Sequence, residues 1–181
     1  YPRFLYFLIG AACLFLFHTI VNSYLVQIIH SLGGNDKDFG LSLMITALCE
    51  LPAMLGFSYL LTKRKSGIWL KVAAIFFVVR SILFLLSGSV FMINVTQLFQ
   101  GLAFALYIPA STYYVNQLMQ KTDHVKGQAF NIGAITLGNV AGSLVGGWLL
   151  DNTGVPQMLS AGAIAAIIGC LLIFYSVRTD I

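Results

Sequence analysis

Hydrophobic residues in this chain form six long runs that are separated by short polar connections. Each run approaches the roughly 20 mostly apolar residues that a helix needs to cross a bilayer. The pattern predicts six membrane-spanning helices, at residues 4–29, 39–61, 68–86, 90–119, 127–150 and 155–177. Because the connections leave no room for a domain outside the membrane, we expect residues 1–181 to form one all-α six-helix transmembrane bundle.

Composition indicates that lipid is the solvent of this chain. Hydrophobic residues make up 59% of it and charged residues 9%, whereas soluble domains carry about 25% charged residues. The cysteines Cys13, Cys49 and Cys170 all fall inside predicted spans, which favours small buried side chains over disulfides or metal ligands. The chain opens on Tyr-Pro-Arg directly before the first run, so we interpret it as a piece of a longer protein.

Basic residues are unevenly distributed between the predicted connections. If six spans are correct, one side of the membrane receives eight Lys and Arg residues and the other side receives Lys37 alone. Cytoplasmic loops of membrane proteins carry the excess of Lys and Arg. We therefore predict a multi-pass protein of the cell (inner) membrane with both termini in the cytoplasm. The net charge of +4 is then a topology signal and does not indicate nucleic-acid binding. The eight residues are Arg3, Lys63, Arg64, Lys65, Lys71, Lys121, Lys126 and Arg178.

Glu50 and Arg80 are the two formally charged residues deep inside predicted spans. A charge at the bilayer centre costs about 2.5–3.5 kcal/mol on insertion scales, so such side chains face protein, water or solute. Pro52 follows Glu50 and removes a backbone hydrogen bond, which predicts a kink near the carboxylate. A structural salt bridge between Glu50 and Arg80 and a role for both in a transport cavity are compatible, and the sequence leaves both open. Snorkelling of Arg80 towards the membrane surface is a further alternative.

Neutral polar residues lie within three other spans. His18 and Asn22 share one face of the first span at four-residue spacing. Gln100 and Tyr107 share a face of the fourth span, and Asn131 lies in the fifth. Amides and aromatic rings suit a hydroxyl-rich ligand such as a sugar, although hydrogen bonding between helices would need the same residue types. The predicted substrate-binding residues are Glu50, His18, Asn22, Gln100, Tyr107 and Asn131.

Glycines and prolines predict how two spans are shaped. Gly138, Gly142 and Gly146 recur at four-residue spacing in the fifth span, which allows another helix to approach closely. Pro109 predicts a bend in the middle of the fourth span.

The three histidines are scattered, and no HExxH, phosphate-loop or GxSxG motif is present. We therefore expect neither an enzyme nor a metal or cofactor site.

Two sequence runs and one basic loop carry a resemblance to a known family. They are the Glu-Leu-Pro-Ala-Met run at 50–54, the Lys-Arg-Lys-Ser-Gly loop at 63–67 and the glycine-rich run at 138–154. Across its length the chain resembles the C-terminal six-helix half of a major facilitator superfamily transporter. Within that superfamily it is most similar to the lactose-permease-like and sugar-efflux-like branches.

The resemblance also implies roles for individual residues. In the lactose-permease-like branch, a Glu of helix eight contacts the sugar and an Arg of helix nine takes part in proton coupling, and these match Glu50 and Arg80. The helix-ten pattern departs, because Gln97, Gln100 and Ala103 stand where that branch has its His and acidic residue. The proton-coupling route of that branch is therefore not intact in this half.

The function that the resemblance implies is half of a secondary active transporter for a small polar solute, most similar to carriers of sugars or oligosaccharides. Rocker-switch alternating access would move the solute, with protons as coupling ions if transport is a symport. The expected partners are an N-terminal six-helix half or a second copy, and the lipid bilayer. Two alternatives stay open: an efflux transporter of sugars or drugs, and a non-transporting six-helix binding or assembly module.

Overall fold

Lipid offers no hydrogen-bond partners to backbone N–H and C=O groups, and the apolar runs therefore fold as helices. The structure, a computed structural model, describes residues 2–178; the predicted domain also includes residues 1 and 179–181, which lie outside the described residues. Within the described range, six helices are long and apolar enough to cross a membrane, and strands are absent. The predicted fold class, an all-α bundle of six transmembrane helices, is confirmed.

Three of the six spans are interrupted, so the described residues contain nine α-helices. The first span consists of α1 and α2, the second of α3 and α4, and the fourth of α6 and α7. A π-helical segment, Gly101–Ala105, separates α6 from α7, and a short 3-10 turn, Lys121–Asp123, precedes α8. The α-helices are α1 (Pro2–Ser23), α2 (Leu25–Ser31), α3 (Asp36–Leu55), α4 (Phe57–Lys63), α5 (Ser66–Leu86), α6 (Val90–Gln97), α7 (Leu106–Leu118), α8 (His124–Thr153) and α9 (Val155–Ser176).

The start of α3 is defined by a reciprocal cap. The Asn35 side chain accepts hydrogen bonds from the backbone N–H groups of Lys37 and Asp38, and the Asp38 carboxylate accepts one from the Asn35 N–H at 2.9 Å. Three backbone donors at the helix start are thereby satisfied. The loop between the first and second spans is short and ordered for this reason.

Both spans with a proline in the interior of a helix depart from a regular helix. The second span breaks at Gly56, whose N–H donates to the Pro52 carbonyl at 2.9 Å. In the fourth span, Pro109 provides no N–H for the carbonyl of Ala105, the last residue of the π-helical segment. Segments of this kind are frequent at functional sites. In this chain the segment follows directly after Gln100.

Glycines bring α1 into backbone contact with α8 and α9. A Cβ added at Gly138 would stand 2.3 Å from the Ala12 carbonyl oxygen, and one at Gly142 would stand 2.6 Å from the Leu16 carbonyl oxygen. Both distances are too short for any other residue, so the predicted close approach at these glycines is confirmed. Gly169 of α9 makes a second approach to α1, which the sequence did not indicate.

The two sides of the bundle differ in burial. In the apolar stretch of α3, only 6% of the residues are buried within the described part of the chain. The corresponding share is 50% for α1 and 39% each for α5 and α9. α1 packs between α8 and α9, and α5 packs on α9 and α7. α3 and α8 are the least buried spans, and we refer to the surface that they leave exposed as the open wall.

Candidate functional site

Glu50 lies where α3 touches the π-helical segment. A Cβ added at Gly101 would stand 2.4 Å from the Cys49 carbonyl oxygen, so the glycine allows direct backbone contact beside Glu50. The amide nitrogen Nε2 of Gln100 donates to Glu50 Oε1 at 2.9 Å. Gln100 is buried, whereas Glu50 is partly exposed on the open wall. A neutral amide therefore holds a carboxylate that remains accessible.

Arg80 is fully buried and has a different partner. Its Nη2 donates to Gln97 Oε1 at 2.7 Å, and its guanidinium carbon lies 5.3 Å from the centre of the Phe84 ring. Arg80 Nε, Arg80 Nη1 and Gln97 Nε2 are buried without a hydrogen-bond partner among the described residues. A buried charge with so few partners is costly to fold around. Folding stability alone consequently does not explain why an arginine occupies position 80.

Glu50 and Arg80 do not form an ion pair in this structure. Within residues 2–178 the ion pairs join His30 to Asp36 and Lys126 to Asp123, both near helix ends. The carboxylate and the guanidinium are instead bonded to two amides three positions apart in the chain. The direct salt bridge that the sequence allowed is therefore replaced by two separate amide contacts.

His18 and Phe104 form a flat aromatic surface. Their rings stack with centroids 4.4 Å apart and an interplanar angle of 2°. The Asn22 side-chain nitrogen lies 2.9 Å from His18 Nε2, one turn further along α1. All three side chains are partly exposed, and Phe104 follows Gln100 by one turn. His18 and Asn22, both predicted from the sequence, thus share the open wall with Glu50.

Tyr107 and Asn131 lie inside the bundle. The Tyr107 ring packs 5.4 Å from Phe15 and 6.0 Å from Phe77, centroid to centroid, and its hydroxyl is buried without a partner among the described residues. Asn131 donates to Ser111 Oγ at 3.3 Å. Since added protein can only reduce exposure further, neither residue lines an open cavity in this conformation. They differ in this respect from Glu50, His18 and Asn22.

Sequence reasoning missed a polar pair between α1 and α8. Thr19 Oγ1 donates to Asn139 Oδ1 at 2.7 Å, and both residues are partly exposed. The amide hydrogens of Asn139 point away from that bond and are left for other partners. The signal in the sequence was weak, because Asn139 directly follows Gly138 in a helix-packing stripe. Asn139 lies on α8, which contributes to the open wall, so the pair is part of that wall.

The arrangement as a whole combines one carboxylate with amides, a hydroxyl and an aromatic surface. Such a set can accept and donate hydrogen bonds to hydroxyl groups, and the aromatic surface can lie against C–H groups. Among residues 2–178, no group of three or more His, Cys, Asp or Glu side chains is placed to hold a metal ion. The interactions that these side chains offer are hydrogen bonds and ring contacts.

Comparison with known proteins agrees with the fold. The family model of the Major Facilitator Superfamily matches residues 7–180. The chain is also similar to a maltose permease of Geobacillus stearothermophilus, with 27% identity over 163 residues, which is 88% of this chain and 41% of that protein. It therefore spans less than half of the length of that relative. With six membrane-length helices and a family match over nearly all of its residues, this chain is a multi-pass membrane protein that belongs to the major facilitator superfamily and forms a six-helix half of that fold.

Proposed function

We propose that this chain is the C-terminal half of a secondary transporter that moves a sugar or oligosaccharide by rocker-switch alternating access. The observation that carries the proposal is the Glu50 carboxylate. It lies in the middle of a membrane span, is partly exposed on the open wall, and has Gln100 as its hydrogen-bond partner. A charge within the membrane costs free energy. The packing around Glu50 does not offset that cost, whereas hydrogen bonds from a bound solute would.

The surroundings of Glu50 favour a sugar over an apolar solute. A carboxylate accepts hydrogen bonds from sugar hydroxyls, and the amides of Asn22 and Asn139 can both donate and accept. The stacked rings of His18 and Phe104 offer a flat apolar surface for the C–H face of a sugar ring. Similarity to a protein named maltose permease is consistent with this solute class.

We propose that an N-terminal six-helix half packs against the open wall. Transporters of this architecture bind solute near the membrane midplane between two halves. Binding at Glu50 would change the balance between inward-open and outward-open states only if the solute has different affinities for them. The eight basic residues on one side of the spans support cytoplasmic termini and an inner-membrane location.

Proton coupling, if it occurs through this half, would involve Glu50. Gln97 and Gln100 do not titrate, and among the described residues Glu50 is the one carboxylate that lies away from the helix ends. A proton bound there would remove the charge that Gln100 donates to. Solute and proton would then act on the same hydrogen-bonded group.

Thermal unfolding of the purified full-length protein tests the proposal. We expect maltose or a related oligosaccharide to raise the melting temperature of the wild type, and Glu50→Gln to abolish that rise because the amide is a poorer acceptor. Asp151→Asn is the matched control, because it makes the same change at an exposed carboxylate at the end of α8. Its melting temperature should rise as in the wild type.

Three other outcomes would redirect the assignment. A sugar-induced rise that survives Glu50→Gln would make Glu50 a structural residue. A rise with a lipophilic cation and none with sugars would favour an efflux transporter. No response to any solute, together with no uptake into cells, would favour a six-helix binding or assembly module.

A further inference from the structure

The packing of α5 against α9 brings two basic residues together at one end of the bundle. A Cβ added at Gly67 would stand 2.0 Å from the carbonyl oxygen of Arg178, so the chain leaving α9 lies directly on the first turn of α5. One turn further into the span, the Lys71 ammonium lies 5.4 Å from the centre of the Phe174 ring of α9. Lys71 and Arg178 therefore follow the α5–α9 seam, one helical turn apart.

Neither of these two cations is paired with a carboxylate of residues 2–178. The ion pairs among residues 2–178 involve His30 with Asp36 and Lys126 with Asp123, so no carboxylate of the described chain lies within 4.0 Å of Lys71 or Arg178. Lys71 lies roughly 7 Å along the helix from the start of α5, at 1.5 Å per residue. Lys71 is partly buried, and a partly buried cation gains more from an anionic partner than it would in water.

The neighbouring loop adds positive charge and is held in place. The indole N–H of Trp69 donates to the carbonyl oxygens of Leu60 at 3.0 Å and Arg64 at 3.2 Å, which ties the loop to the first turn of α5. Lys63 lies 5.1 Å above the Tyr59 ring and is exposed. Tryptophan and tyrosine are enriched at the level of lipid headgroups. The loop cations are thus presented at the membrane surface.

Apolar side chains continue the α5–α9 seam into the membrane. Ile75 follows Lys71 by one turn and is 45% exposed, and Leu171 precedes Phe174 by one turn and is 66% exposed. Arg80, the one charged residue deeper in α5, is turned inward and buried. This face carries none of the polar residues of the open wall. It is therefore a surface for lipid chains, with cations at one end.

We propose that Lys71 and Arg178, with Lys63 beside them, bind the phosphate of an anionic phospholipid whose acyl chains lie along the α5–α9 seam. Basic residues at the membrane surface attract anionic lipid headgroups. The apolar side of the seam favours a lipid headgroup over free phosphate, because it gives the acyl chains a surface that the free ion cannot use. Placing the lipid in the cytoplasmic leaflet follows the orientation proposed above, but binding itself does not depend on the transported solute.

Native mass spectrometry of the wild-type full-length protein gives the first test. The protein is incubated in detergent with equal amounts of phosphatidylglycerol and phosphatidylcholine. We expect phosphatidylglycerol to be retained preferentially, and its melting-temperature increment to exceed that of phosphatidylcholine. Equal retention of both lipids would overturn the proposal, as would an equal increment from inorganic phosphate alone. These results need no variant and no knowledge of the solute.

A charge-matched pair of variants locates the site. Lys71→Gln with Arg178→Gln should lose at least half of the phosphatidylglycerol increment. Lys37→Gln with Lys121→Gln removes the same charge at exposed positions elsewhere and should keep the increment. Lys71→Arg with Arg178→Lys keeps both charges and should also retain it. An increment that persists in the first variant, or is lost equally in the second, would contradict a site on the α5–α9 seam.

Discussion

At the scale of the residue, Arg80 is the clearest case of a side chain that stability does not explain. Its guanidinium is fully buried, bonds the neutral amide of Gln97, and leaves Nε and Nη1 unsatisfied among the described residues. Replacing buried ionic groups by apolar residues of similar size is often neutral or stabilising, whereas removing one partner leaves the other unpaired. We propose that Arg80 has a role in transport for this reason.

Replacing both members of this pair should separate stability from transport. We expect Arg80→Met with Gln97→Leu to leave the stability of the full-length protein unchanged or raise it by about 1–4 kcal/mol. Arg80→Met alone should be less stable than the double variant, because Gln97 then keeps a buried unpaired amide. Solute uptake should be strongly reduced in both variants. Thermal unfolding in detergent and uptake into cells measure the two effects.

A double variant less stable than Arg80→Met alone would contradict this account. That result would mean that Gln97 has another stabilising partner. Normal uptake by the double variant would instead remove Arg80 from the transport mechanism. Thermal unfolding therefore tests the stability account, and uptake tests the role of Arg80 in transport, each independently of the other.

At the scale of the element, small residues decide how closely the helices approach. Gly138 and Gly142 place α8 against the backbone of α1, and Gly101 places the π-helical segment against α3. The repeat in α8 was visible in the sequence because its spacing matches the helix period. The contact at Gly101 was not, since a single glycine carries no periodic signal.

Two glycines of α8 provide a matched comparison of this effect. Gly138→Ala would place its Cβ 2.3 Å from the Ala12 carbonyl oxygen, so we expect a loss of stability of about 1–3 kcal/mol from overpacking. Gly133 is exposed, and a Cβ there meets nothing within 4 Å. Gly133→Ala should be neutral or stabilising by up to about 1 kcal/mol, through helix propensity alone. Thermal unfolding of this six-helix chain compares the two variants.

The sign of the difference between the glycine variants is the result that matters. Equal stabilities would mean that α1 and α8 separate easily enough to admit a methyl group. A Gly133→Ala variant less stable than Gly138→Ala would mean that another part of the protein packs against the Gly133 face of α8.

At the scale of the whole molecule, the bundle has one closed side and one open side. α3 is largely exposed although it carries Glu50, while the interior of the bundle is formed mainly by α1 and the fourth span, with α5 and α9 beside them. A span that carries a charge and has little protein around it is costly to place in lipid. The open wall is the feature that our proposal of a missing half explains.

Footprinting with a lipid-soluble diazirine can test where the partner half docks. In the six-helix chain alone, we expect labelling of α3 around Leu48, which is 60% exposed, and of α5 around Ile82, which is 43% exposed. In the full-length protein, labelling of α3 should fall several-fold because the other half covers it. Labelling of α5 should stay unchanged and serves as the internal control. Unchanged labelling of α3 would contradict docking on the open wall.

The sequence by itself determined the number of spans, the fold class and the two charges inside the membrane. Lipid requires about 20 apolar residues per span and makes every interior charge conspicuous. These features depend on local composition and can therefore be read along the chain. For the same reason Glu50 and Arg80 stood out as candidates without any knowledge of their neighbours.

Tertiary structure alone decided which polar groups meet and which remain accessible. Whether Glu50 bonds Arg80 or Gln100, and whether Tyr107 faces a cavity or the interior, depends on the rotation and packing of helices that are far apart in the chain. Thr19 and Asn139 meet for the same reason, across 120 positions. Helix periodicity places residues on a common face, but which neighbour covers that face is set by contacts such as those of the glycines.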